Sequence, residues 1–160
     1  MSHQAITVSA PERTLSGRRR RLWTAVAVAS AIVVLLAGFA KASDTMAFVG
    51  ALDTWTLVPK NLQLPLAFVI PSVEVGVASL VVLGVGRRMA TLMLLVLVGA
   101  FTVAYATELA TGKPPDCGCF GALRAFASEQ WTVRLVLLRN GILLVGLASS
   151  WWNLKLRRSE

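Results

Sequence analysis

Four long apolar stretches, separated by short polar segments, dominate the chain. Residues 22–40 and 89–107 contain no charged side chain, and each run of about 19 residues is long enough to cross roughly 30 Å of hydrocarbon as a helix. A second stretch at 62–85 contains one ionisable residue, Glu74, and two prolines, Pro65 and Pro71. The last, at 131–152, contains Arg134 and Arg139. These patterns predict an all-α integral membrane four-helix bundle with helices at 22–40, 62–85, 89–110 and 131–152. No internal repeat or soluble domain is evident.

The segments between the spans carry their own signals. Phe48, Leu52 and Trp55 recur at helical spacing within 41–61, which fits a short helix lying at the membrane interface with its rings at headgroup depth, or a plain ordered loop. Pro59 ends that segment, Pro65 falls in the tolerant first turns of helix two, and Pro71 lies deep enough to kink it. Gly84-Val85-Gly86 before Arg87-Arg88 predicts a tight turn that makes helices two and three antiparallel neighbours, and Pro114-Pro115 stops helix three. Gly38, Gly76, Gly99 and Gly146 are candidates for close helix packing.

Composition agrees with a membrane protein: 56% of the 160 residues are hydrophobic and only 15% charged, too apolar for a soluble surface. The net charge of +8 is explained by topology. Basic residues concentrate at Arg13, Arg18, Arg19, Arg20 and Arg21, at Arg87 and Arg88, and at Lys155, Arg157 and Arg158. Fewer lie on the other side, at Lys41, Lys60, Lys113 and Arg124, so both termini are expected in the cytoplasm and the segment before helix four outside. The basic ends then face anionic headgroups, and no recognition module accompanies the charge, so nucleic acid is not an expected partner. Residues 1–21, which include the lone His3, read as a disordered basic tail, 22–152 as the membrane domain and 153–160 as a second basic tail. Ala40-Lys41-Ala42 resembles a signal cleavage site, but the preceding apolar run exceeds the usual ~7–15 residue core, which favours an uncleaved anchor.

The only two cysteines stand in Cys117-Gly118-Cys119-Phe120-Gly121, within the polar segment before helix four. A Cys-x-Cys spacing reaches the ~4.4–6.8 Å between α-carbons that a disulfide requires only if the backbone bends sharply, which Gly118 permits. So small a ring constrains the unfolded chain little and is strained, and a strained, exposed disulfide is labile and oxidising. Reversible thiol–disulfide exchange is the preferred reading, set against a structural or intermolecular disulfide, incidental thiols, and half of a zinc site that would need ligands from elsewhere. With no second cysteine pair to relay electrons, a redox cycle has to be completed by a partner, most simply a thioredoxin-like protein on the outer face.

Charges inside a span are costly, so Glu74 and Arg139 are candidates for function or structure. Counted from the ends of their helices, both lie roughly 18–20 Å from the inner edge. That matching depth predicts an intramembrane pair of Glu74 and Arg139, with Asn140 or Tyr105 completing the hydrogen bonds, more as structural glue than as a proton relay. Arg134 and Glu108 lie near the outer edge, where headgroups or each other are available partners. Trp131, Trp151 and Trp152 read as interface anchors.

Taken together, Gly38-Phe39-Ala40-Lys41, Leu64-Pro65, Pro71-Ser72-Val73-Glu74, Cys117-Gly118-Cys119-Phe120-Gly121 and Arg139-Asn140 make residues 20–150 resemble the MauE family of methylamine-utilisation membrane proteins, within the DoxX-like group of four-helix membrane proteins. The resemblance implies an accessory role in maturing the disulfide-rich small subunit of methylamine dehydrogenase, alongside a thioredoxin-like companion, with no cofactor of its own. Two classes of function remain open. In one, Cys117 and Cys119 make the protein a thiol-disulfide oxidoreductase; in the other, it is a non-catalytic scaffold or chaperone whose Cys-Gly-Cys segment is structural or a docking element.

Overall fold

The computed structural model describes residues 10–112 and 129–155, with side chains over 17–112 and 133–154. Cys117, Gly118, Cys119, Phe120 and Gly121 lie outside the described residues, as do 1–9 and 156–160. The described chain is helical throughout: α1 (Ala10–Ser43), α2 (Thr45–Asp53), α3 (Lys60–Leu83), α4 (Arg87–Ala110) and α5 (Glu129–Lys155). Four of these are long and apolar enough to cross a membrane, over Gly17–Ser43, Lys60–Leu83, Arg87–Ala110 and Val133–Leu154. The four-helix membrane bundle expected from the hydropathy pattern is therefore the fold.

The long helices form a ring in which α1 packs on α3 and α5, and α4 packs on the same two neighbours. Each turns one stripe inward at helical spacing: Ala27, Ala31 and Val34 from α1, Ala78 and Val81 from α3, Ala90, Leu94 and Val98 from α4, and Leu143 and Leu147 from α5. Lipid tails are as apolar as this core, so association relies on close packing, and small side chains allow it. A Cβ on Gly146 would come within 3.2 Å of Val26 and 3.4 Å of Ser30 Oγ, and Ser150 Oγ donates to the Trp23 carbonyl at 3.1 Å, which closes the α1–α5 seam. Gly76, by contrast, faces open space, and Gly99 has only an ordinary contact with Leu144. The outward faces are large and apolar, with Leu36, Phe68, Val96, Val103, Ile142 and Val145 all exposed.

Two boundaries differ from the sequence reading. Helix α1 begins at Ala10, so Arg18, Arg19, Arg20 and Arg21 extend a helix instead of belonging to a disordered tail. Arginine is a good helix former, and adding residues to a helix that already exists is cheap. At its other end α1 runs on to Ser43, which carries Lys41 inside the helix. The turn between α3 and α4 is as tight as expected. Gly84 adopts the left-handed conformation at φ 78°, with Val85 N donating to the Leu80 carbonyl, and Gly86, also left-handed at φ 52°, precedes α4.

The short helix α2 sits across the end of the bundle opposite that turn. Asp44 caps it, its Oδ1 accepting from Ala47 N at 3.0 Å. The segment is a helix, and Phe48, Ala51 and Leu52 turn inward, buried against Ala67 of α3, where an amphipathic helix covering a bundle end removes apolar area from water. Gln63 Nε2 donates to Asp53 Oδ1 at 3.0 Å, and Pro59 starts α3. Glu108, expected among headgroups or with Arg134, is instead fully buried and accepts from Leu57 N at 2.7 Å and Thr56 Oγ1 at 2.9 Å, whereas Arg134 is exposed. The carboxylate thereby ties the α2–α3 connection to α4. Glu108→Ala would strip two part-buried hydrogen bonds of their charged acceptor and is expected to cost about 1–3 kcal/mol, with Glu108→Gln losing less. Thermal unfolding in detergent, together with protease cleavage within residues 54–58, reads this out.

Candidate functional site

The inward stripe of α1 continues from Ala27, Ala31 and Val34 through Gly38 to Lys41, so the last helical turn aims a lysine into the bundle. The inward stripe of α3, through Ala67, Pro71, Glu74 and Ala78, aims a carboxylate at the same level. Lys41 Nζ donates to Glu74 Oε1 at 2.8 Å and to Oε2 at 2.7 Å, with the side chains 3% and 7% exposed. At such exposure the ammonium is removed from water, and the bidentate geometry is what compensates its desolvation. Phe48 of α2 and Phe101 of α4 each present a ring 5.8 Å from the same nitrogen, adding a cation–π environment.

Gly38 makes this approach possible. A Cβ there would lie 3.0 Å from Val75 Cγ2, 3.2 Å from Glu74 Cβ and 3.4 Å from Glu74 Oε2. A larger residue would push α1 off α3 where the pair forms.

The sequence reading paired Glu74 with Arg139. A contact-distance ion pair joins Glu74 to Lys41, which the hydropathy pattern leaves among the outer-face charges because it ends helix one at Ala40. Arg139 reaches the same region, since Glu74, Arg139 and Asn140 all line one cavity of about 60 Å³ between the helices. Arg139 Nε and Nη2 donate to Asn140 Oδ1 at 3.3 and 3.1 Å. Tyr105, buried, and Trp55 border the cavity below α2, their ring centroids 6.1 Å apart. The remaining walls are apolar, among them Val34, Leu97, Val98 and Val136.

The cysteine segment connects Gly112, just past the end of α4, to the start of α5. Two residues mark that end of the bundle: Glu108 in the last turn of α4 binds the α2–α3 connection, and Lys41 lies in the last turn of α1. The end of α4 that precedes the Cys-Gly-Cys motif in sequence is thus the end that carries α2.

Removing one member of the ion pair leaves a buried charge. Lys41→Met or Glu74→Leu alone is expected to cost about 3–5 kcal/mol, while the double substitution recovers most of the loss because neither charge remains. Denaturant unfolding and monodispersity in detergent distinguish the three variants. Gly38→Val is expected to destabilise less than the single variants, by overpacking at about 1–3 kcal/mol.

Neither the curated proteins nor the solved structures gave a match to this chain. A family model described as methylamine utilisation protein MauE matches residues 19–153, which takes in nearly the whole of the four spans, the ion pair, the cavity-lining residues and the Cys-Gly-Cys segment. The chain belongs to the MauE family.

Proposed function

We propose that this protein is an accessory membrane protein of methylamine utilisation that exchanges disulfides through Cys117 and Cys119 at the outer face of the cytoplasmic membrane. The observation that carries the reading is the placement of the chain's only cysteine pair in the connection between α4 and α5. Family membership supports the setting. The charge distribution supports the orientation: Arg18, Arg19, Arg20, Arg21, Arg87 and Arg88 gather at one end of the bundle, whereas Lys41 is consumed in a buried pair and no longer counts as an outer-loop charge.

In the exchange step, the thiolate of one cysteine attacks a sulfur of a partner disulfide, forming a mixed disulfide and releasing the partner's second thiol. The other cysteine of the pair then attacks its neighbour's sulfur in that mixed disulfide. Its thiol proton is lost, the partner leaves fully reduced, and Cys117 and Cys119 are left oxidised. Two electrons and two protons pass between the pairs, and the reverse sequence oxidises the partner. A thioredoxin-like protein outside the membrane suits this role, because the chain has no second pair of its own. The client that benefits is a secreted protein rich in disulfides, of the kind represented by the small subunit of methylamine dehydrogenase. The bundle anchors and presents the exchange segment.

Replacing both Cys117 and Cys119 by serine is expected to abolish client maturation while membrane abundance stays normal. A single Cys119→Ser or Cys117→Ser variant is expected to accumulate a mixed disulfide with its partner, seen as a reducible band on non-reducing gels. Client maturation that survives the double substitution would instead make the protein a scaffold. Alkylation of intact cells with a membrane-impermeant thiol reagent, before and after mild reduction, checks the outward placement of the pair.

A further inference from the structure

We propose that the cavity beside the Lys41–Glu74 pair is a binding site for the carboxylate end of a long-chain fatty acid. Its polar lining is rich in donors. Asn140 is 5% exposed, its Oδ1 is occupied by Arg139, and its amide nitrogen donates to nothing among the described residues although it borders the cavity. An oxygen bound within reach of that N–H would accept from it without displacing a protein acceptor.

Charge selects an anion. The charged side chains in the lining are Lys41, Arg139 and Glu74, a formal sum of one positive charge in a region shielded from water. Both Glu74 oxygens accept from Lys41, so the charge of this carboxylate is balanced within the pair. The other buried carboxylate nearby in the fold, Glu108, is turned to Thr56 and Leu57 and is not in the lining.

Size and surroundings select an acyl carboxylate. The volume of about 60 Å³ matches roughly four waters at ~15 Å³ each, which is room for a carboxylate and its first methylenes. The walls beyond the polar end are apolar, suited to methylenes. Val33 both lines the cavity and is 40% exposed on the outside of α1, so the space reaches the lipid-facing surface, where the rest of a chain can lie in the bilayer.

The test uses the full-length protein in phosphatidylcholine nanodiscs and a palmitic acid analogue carrying a photoreactive diazirine near its carboxylate. Labelling is expected on the parts of α1 and α5 that contain Val33, Ala37, Val136 and Asn140. Oleate should compete at concentrations at least about tenfold lower than oleyl alcohol, the difference a charge-assisted hydrogen bond supplies. Asn140→Asp keeps an oxygen for Arg139 but replaces the free donor by an anion, and should reduce specific labelling by about tenfold or more. Val33→Trp blocks the mouth from the lipid side and should do the same without touching the polar residues, which keeps the test valid if the first variant fails to fold. Equal competition by the alcohol, stronger competition by phosphatidylglycerol, or labelling unchanged in the folded variants would overturn the proposal.

Discussion

An ammonium and a carboxylate survive inside a bilayer only when they are held against each other, and the Lys41–Glu74 contact at 2.7 Å imposes that requirement on the rest of the bundle. It requires α1 and α3 to approach closely, which is why Gly38 occupies the turn before Lys41. It requires cover from above, which Phe48 of α2 supplies, and from the side, where Phe101 of α4 stands. Three helices and the short helix at the bundle end are thus registered by one interaction. A purely apolar seam would not do this, since Leu and Ala faces slide past one another in lipid at little cost, whereas an ion pair has a single depth at which both partners are satisfied.

The end of the bundle that carries α2 is built on a second carboxylate used in a different way. Glu108 has no cation at contact distance among the described residues; it is stabilised by a backbone N–H and a hydroxyl from the α2–α3 connection. Hydrogen bonds to a charged acceptor are worth roughly 1.5–3 kcal/mol, enough to hold a short connection that has little apolar area of its own. Together with the Asp44 cap and the Gln63–Asp53 bond, this fixes α2 as a lid over the cavity. Polar residues in this chain therefore do structural work at one end, while the other end closes by small-residue packing at Ala27, Ala31, Ala78 and Gly146.

Much of this was legible in the residues. Uninterrupted apolar runs mark membrane spans strongly, because the backbone in hydrocarbon has few alternatives to a helix. The depth comparison that brought Glu74 and Arg139 to one level was also sound, as both line the cavity. What it lacked was the stripe. Ala27, Ala31, Val34, Gly38 and Lys41 follow the alternating three- and four-residue spacing of one helical face, and extending that face by one turn would have put Lys41 inside. Glu108 and Asn140 likewise continue the inward stripes of α4 and α5. A charge near the end of a span is ambiguous between headgroup and interior, since either choice satisfies hydropathy. Only the helical phase separates them. The conformation of the Cys-Gly-Cys segment depends on backbone turns that periodicity does not address.

The end of the bundle that carries α2 is held by other means than the opposite end. Lys41, Glu74, Glu108 and Asn140 provide directional contacts at that end, and these hold helix positions without requiring tight apolar interdigitation. A bundle packed uniformly with leucine would gain apolar contacts at that end but lose the specific depth and rotation that these directional contacts impose. Here the cost of burying charge is balanced by a fixed geometry.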